Sequence, residues 1–213
     1  LFTGLYCVSQ CFRYKVTGDE KAKANAKRAV EAMIKLTEIT GRAGFTARAT
    51  RHSYEENFGT GNREEWHICE DNPDMEWLGE TSSDEMTGHY FAYGVYYDLV
   101  ADKKEKKKIA QVVKTITDHI LENNFHLTDV DGVPTTWANW EPDLLNNDDR
   151  WYYERGTNSL EILSFLKTTY HVTGDEKYNK VFDMLIEKHH YAMNCMQYKF
   201  EDAHLAHIDD QLD

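Results

Sequence analysis

The chain has 213 residues and a formal net charge of −13, because 37 Asp and Glu outnumber 24 Lys and Arg. This balance excludes an ordinary nucleic-acid-binding protein, which needs clustered cations to neutralise phosphates. Mean hydropathy is −0.69, and no apolar run approaches the roughly 18 residues of a membrane-spanning helix. The aromatic content of 13% favours a folded chain with a real core, so we predict one domain over residues 1–213.

The first helical hairpin is predicted over residues 1–40. Its first helix begins at Leu1 without a capping residue, so we expect the sequence to be a portion of a longer protein. The segment YKVTGDEK at 14–21 recurs as YHVTGDEK at 170–177, with seven of eight residues identical. The glycine can end one helix in the left-handed conformation, and Thr followed three residues later by Glu has the spacing of a capping box. We therefore expect the same helix–turn–helix joint at two places.

A long connection, residues 41–82, follows the first hairpin. Connections of this length in compact domains are usually functional. Trp77 is predicted to contribute to substrate binding. Arg51, with Arg48 and His52 nearby, could hold an acidic sugar, and the alternative is ordinary surface charge.

The second hairpin is predicted over residues 83–124. Its first helix is apolar nearly all round, which indicates burial on all sides. Ser82 with Glu85 has capping-box spacing, which places Asp84 and Glu85 at the start of this helix and His89 about one turn further in. A carboxylate and an imidazole on adjacent turns could act as an acid/base pair at the mouth of a cavity. The alternative is a helix cap beside a core histidine.

The second connection, residues 125–156, leads to a third hairpin at 157–195, where Asn158 and Glu161 also have capping-box spacing. Its mixture of aromatic rings, carboxylates and arginines is typical of a carbohydrate cleft, because rings stack on sugar faces while polar groups bond the hydroxyls. The alternative is a structured loop between hairpins. The predicted binding residues here are Trp137, Trp140, Trp151, Tyr153, Glu154 and Arg155, with Asp149 as a catalytic carboxylate.

Three hairpins, each with a buried inner helix and an amphipathic outer helix, predict an all-α fold with long decorated loops at one rim. Joints of the TGDEKY type between inner and outer helices resemble those of the six-hairpin glycosidase superfamily. That resemblance implies an (α/α) toroid-like array, of which three hairpins would be about half, and activity on a carbohydrate. It also implies an extracellular or periplasmic location.

The leading functional hypothesis is glycoside hydrolysis by paired carboxylates, with Asp84 and Asp149 as the pair and Glu85 and His89 assisting. The alternatives are a polysaccharide lyase, a sugar epimerase, or a non-catalytic toroid that binds a glycan or protein. We expect a carbohydrate partner, no nucleic acid, no membrane, no cofactor and no metal. No motif for nucleotide binding, HExxH zinc proteolysis or α/β-hydrolase chemistry occurs.

Overall fold

The computed structural model describes residues 1–55 and 65–197, which form a mainly helical fold with two small sheets. The three expected hairpins are present. Their helices are α1 (Phe2–Thr17) with α2 (Glu20–Glu38), α3 (Ser83–Leu99) with α4 (Lys103–Glu122), and α6 (Arg155–Thr173) with α7 (Glu176–His189). Two short helices, α5 (Pro142–Asn147) and α8 (Tyr191–Asn194), flank the third hairpin.

The repeated joint has the expected turn but a different cap. Gly18 and Gly174 end α1 and α6 in the left-handed conformation, with φ of 69° and 70°. The next helices are capped by Asp19 and Asp175, whose carboxylates accept the backbone N–H of Lys21 and Lys177. The prediction of a threonine cap was wrong because an aspartate two residues later reaches the same orphan amides.

The inner helices lie side by side, since α3 packs against both α1 and α6, and each inner helix also contacts the outer helix of its hairpin. The crossing of α1 and α3 is close: a Cβ on Gly4 would lie 2.4 Å from the carbonyl oxygen of Gly88. Both glycines are therefore needed for the close contact between α1 and α3. The buried apolar side chains of all three hairpins form one core cluster.

The long connections contain the two sheets, so the fold is mainly α-helical as predicted, and the decoration of the loops consists of short strands. The first sheet has the antiparallel strand order β1 (Ala49–His52), β3 (Asn72–Leu78), β2 (Trp66–Cys69). The second pairs β4 (His126–Thr128) with β5 (Pro134–Asn139). The alternation of exposed and buried positions in these segments is too brief to be distinguished from loop sequence.

The two connections contact each other at one end of the inner helices. The backbone N–H of Thr136 donates to Glu80 Oε2 over 3.0 Å, and the N–H of Glu80 donates to Asp129 Oδ2 over 3.0 Å. Arg42 Nη1 also donates to the carbonyl of Asp129. Both connections therefore lie at the end where α3 and α6 begin.

Among the helices of the described chain, none combines the length and apolarity that crossing a bilayer requires.

Candidate active site

The start of α3 supplies two carboxylates. The capping box between Ser82 and Glu85 is confirmed, with the Ser82 N–H donating to Glu85 Oε2 over 2.8 Å. Glu85 Oε1 also accepts a hydrogen bond from Arg48 Nε at 2.8 Å, so this side chain is held in the cap and in an ion pair. Asp84 accepts a hydrogen bond from the Ser82 hydroxyl and remains partly exposed. Of the two carboxylates, Asp84 has fewer internal partners.

A third carboxylate, Glu161 on α6, faces the same region and is only 8% exposed. Trp140 Nε1 donates to its Oε2 over 2.9 Å, and the Thr87 hydroxyl lies 3.2 Å from its Oε1. The pKa of Glu161 is raised to about 7, chiefly by burial and to a smaller extent by the nearby charge of Asp84, and the hydrogen bonds to Glu161 oppose this rise. Glu161 therefore exchanges a proton near neutral pH.

When two carboxyl groups have different surroundings, their pKa values differ, so that one can act as an acid and the other as a base. Glu161 is buried and has a pKa of about 7, so about half of the molecules keep this proton at neutral pH, whereas Asp84 is partly exposed in the first turn of α3. The arrangement allows one group to donate a proton while the other carries a negative charge. The carboxyl group near Asp84 is thus Glu161, whereas the sequence had suggested Asp149 as its partner.

His89 lies in the core and not at the mouth of a cavity, which corrects the expected position. It is 4% exposed, and its Nδ1 lies 3.1 Å from the hydroxyl of Tyr93. Burial lowers the pKa of His89 to about 3, with a small contribution from the positively charged chain terminus. The imidazole is therefore neutral throughout the physiological range, as a core histidine would be.

Three of the predicted binding residues are held inside the structure. Trp77 is 3% exposed and stacks on His67 with ring centroids 4.3 Å apart. Trp140 is fully buried, so it positions Glu161 and presents no face to a ligand. The guanidinium of Arg51 lies 3.8 Å from the centroid of Trp66, on one sheet.

Other predicted aromatic residues do lie at the surface. Trp137 is 58% exposed on β5, and its ring meets that of Trp151 edge-on with centroids 6.5 Å apart. Tyr153 is 48% exposed and makes a similar contact with Tyr152, 5.4 Å away. We call these four side chains, Trp137, Trp151, Tyr152 and Tyr153, the aromatic platform.

Asp149 lies apart from the carboxyl pair, exposed on a 3₁₀ turn. It borders an open depression of about 510 Å³ that neither Asp84 nor His89 lines. Glu154 is the N-cap residue of α6. Arg155 donates from Nε and Nη2 to the carbonyls of Leu145 and Asn146, so it links the end of α5 to the start of α6.

Glu161 is the carboxyl group of this region that the sequence did not single out as a candidate. Its spacing from Asn158 indicated a capping box, but α6 begins at Arg155, and Asn158 Nδ2 instead donates to the carbonyl of Asn139. A signal was present, since Glu161 is a single acidic residue within an otherwise apolar stretch of an inner helix. A carboxylate in such a position is rare unless it is paired or functional.

No group of three metal-ligating side chains occurs within residues 1–55 and 65–197. Comparison of the chain with protein-family models, with curated proteins and with solved structures finds no match.

Proposed function

We propose that this protein is a carbohydrate-active enzyme that hydrolyses glycosidic bonds, with Glu161 and Asp84 as its two carboxyl groups. The observation that carries the proposal is the position of Glu161, a nearly buried carboxyl with a pKa of about 7 beside a second, more exposed carboxylate. Hydrolysis of a glycoside requires an acid that is still protonated near neutral pH and a carboxylate that stays charged.

The proposed architecture is an arc of an (α/α) toroid. The inner helices α1, α3 and α6 are neighbours, each with an outer helix behind it, and the long connections lie together at one end. This supports the resemblance to six-hairpin glycosidases stated for the joints. In such an arrangement the beginnings of the inner helices form the site, which is where Asp84 and Glu161 are found.

In the proposed reaction, Glu161 gives its proton to the oxygen of the scissile bond as the bond from that oxygen to the anomeric carbon breaks. Asp84 stabilises the positive charge that develops on the sugar ring, or takes a proton from the attacking water. Trp140 Nε1 bonds Glu161 and so keeps its carboxyl group oriented, and the Trp140 side chain shields that group from water.

The hydrolase has better support than the lyase or epimerase. A lyase needs a basic Tyr or His together with a cation for the uronate, and an epimerase depends on histidine. His89 is neutral in the core, and Arg155 is bonded to backbone carbonyls. A non-catalytic glycan-binding protein is the second candidate, because the aromatic platform alone could bind a sugar.

The test is an assay for new reducing ends on a panel of oligosaccharides with the wild type, Glu161→Gln and Asp84→Asn. We expect each substitution to lower turnover by about 10²–10⁴-fold, the usual contribution of a positioned acid or base. Asp149→Asn is the matched control, since it removes an exposed carboxylate of the same end without touching the pair. Unchanged turnover in both pair variants, or loss confined to Asp149→Asn, would refute the assignment.

A further inference from the structure

We propose that the substrate is an oligosaccharide built from sugars without carboxylate or sulfate groups, bound along the aromatic platform. This inference rests on the proposed function and names the substrate class of the same site. Three features of the described chain carry it: the exposed rings, the partners of the arginines, and the excess of carboxylates in the second connection.

The aromatic platform offers ring faces to a ligand. Trp137, Tyr152 and Tyr153 are each about half exposed, although large aromatic side chains usually bury most of their surface in a folded protein. Trp137 lies on β5, and Trp140, which bonds Glu161, follows three residues later, directly after the strand. The platform is therefore close in the chain to the residue that contacts the carboxyl pair. Stacking of this kind favours the C–H face of a sugar ring and does not require a charge.

A uronate or sulfate would need a cation, and the arginines of the two connections already have partners within the described chain. Arg48 pairs with Glu85. Arg51 Nη2 lies 2.7 Å from Glu76 Oε2, and Arg150 Nη2 lies 2.5 Å from Asp148 Oδ2. The remaining two, Arg42 and Arg155, donate to backbone carbonyls. Arg63 lies outside the described residues.

Carboxylates outnumber arginines in the second connection, although the guanidinium of Arg155 lies 5.4 Å from the ring centroid of Tyr152. Residues 125–156 contain no lysine, and their only arginines are Arg150 and Arg155. The open depression of this connection is lined by four carboxylates together with Leu144 and Asn147. These carboxylates are Glu141, Asp143, Asp148 and Asp149. An anionic sugar would be repelled there, and like-charge contacts without a counter-ion oppose binding.

The experiment is isothermal titration calorimetry of the full chain with cellotetraose, mannotetraose, xylotetraose and tetragalacturonate. We expect at least one neutral tetrasaccharide to bind and tetragalacturonate to bind at least tenfold more weakly or not at all. Trp137→Ala should weaken the neutral ligand by about 3- to 10-fold, the range of one aromatic contact. Phe12→Ala, which removes an exposed ring from α1, is the matched control and should leave binding unchanged.

Equal or tighter binding of tetragalacturonate would overturn the inference, as would the absence of binding to any neutral probe at millimolar concentration. A neutral ligand whose affinity does not depend on Trp137 would overturn it as well. A neutral ligand that binds through Trp137 but is not cleaved supports the inference and counts against the hydrolase. The two proposals can therefore fail separately.

Discussion

Replacement of Glu161 by Gln tests the electrostatics of the site without any substrate. In the folded chain burial raises the pKa of Glu161 from 4.5 to about 7. The folded state thus binds this proton more tightly than the unfolded state does, so the stability that protonation gives is fully present below pH 4.5. It is lost as the pH rises through 7.

The size of the effect follows from the two pKa values. A difference between about 7 and 4.5 corresponds to about 3 kcal/mol of free energy of unfolding, because each pH unit is worth about 1.4 kcal/mol. Gln has a similar shape and carries no charge at any pH. The free energy of unfolding of Glu161→Gln, relative to that of the wild type, should therefore rise by about 3 kcal/mol between pH 4 and pH 8.5.

The assay is urea unfolding of both proteins at several pH values, followed by tryptophan fluorescence. The difference between the two free energies of unfolding removes the contribution of all other titrating groups. Glu154→Gln is the matched control, since Glu154 lies on the same helix end and is less buried. A difference between Glu161→Gln and the wild type that stays within 0.5 kcal/mol over this range would refute the reasoning.

Three further predictions concern the inner helices. Gly88→Ala should destabilise the fold by about 1–3 kcal/mol in urea unfolding, despite a helix-propensity gain of about 1 kcal/mol, because the new Cβ would lie 2.7 Å from Leu1 Cα. The C2 proton of His89 should show no titration between pH 5 and 8 by NMR, since its pKa is about 3. Trp140→Phe should raise the pKa of Glu161, measured by carboxyl ¹³C NMR, because a hydrogen bond to the carboxylate is lost.

Each of these has an outcome that contradicts it. Gly94→Ala is the control for Gly88, since its Cβ would meet only Thr168 Cγ2 at 3.3 Å, and a more stable Gly88→Ala than Gly94→Ala would show that the crossing is not tight. An inflection near pH 6.5 would place His89 in contact with solvent. An unchanged or lowered pKa in Trp140→Phe would mean that the indole does not stabilise the carboxylate.

The hairpins could be predicted from the sequence because local rules determine them. The repeated joint contains a glycine with positive φ, and Ser82 caps α3 through the expected capping box. Asp102 caps α4 in the same way. The bounds of all six hairpin helices fall within the predicted ranges 1–40, 83–124 and 157–195, apart from the start of α6 at Arg155. Whether residues 1–213 form a single domain stays a prediction.

The site could be predicted only in part, because contacts between residues distant in the sequence decide which side chains meet at the start of a helix. Asp84 was placed correctly at the start of α3. Nothing in the spacing showed that Trp140 would turn inward to bond Glu161, or that Arg155 would be taken up by backbone carbonyls. These pairings join residues 9 to 21 positions apart in the sequence, and hydrophobic periodicity carries no information about them.

The most direct test of the account is a ¹³C NMR titration of the Glu161 carboxyl carbon in the wild type and in Asp84→Asn. We predict a midpoint near pH 7 in the wild type and a lower midpoint in the variant, because removal of the neighbouring negative charge eases ionisation. A wild-type midpoint near 4.5, or a midpoint that does not respond to Asp84→Asn, would contradict the claim that these two carboxyl groups form one acid/base site.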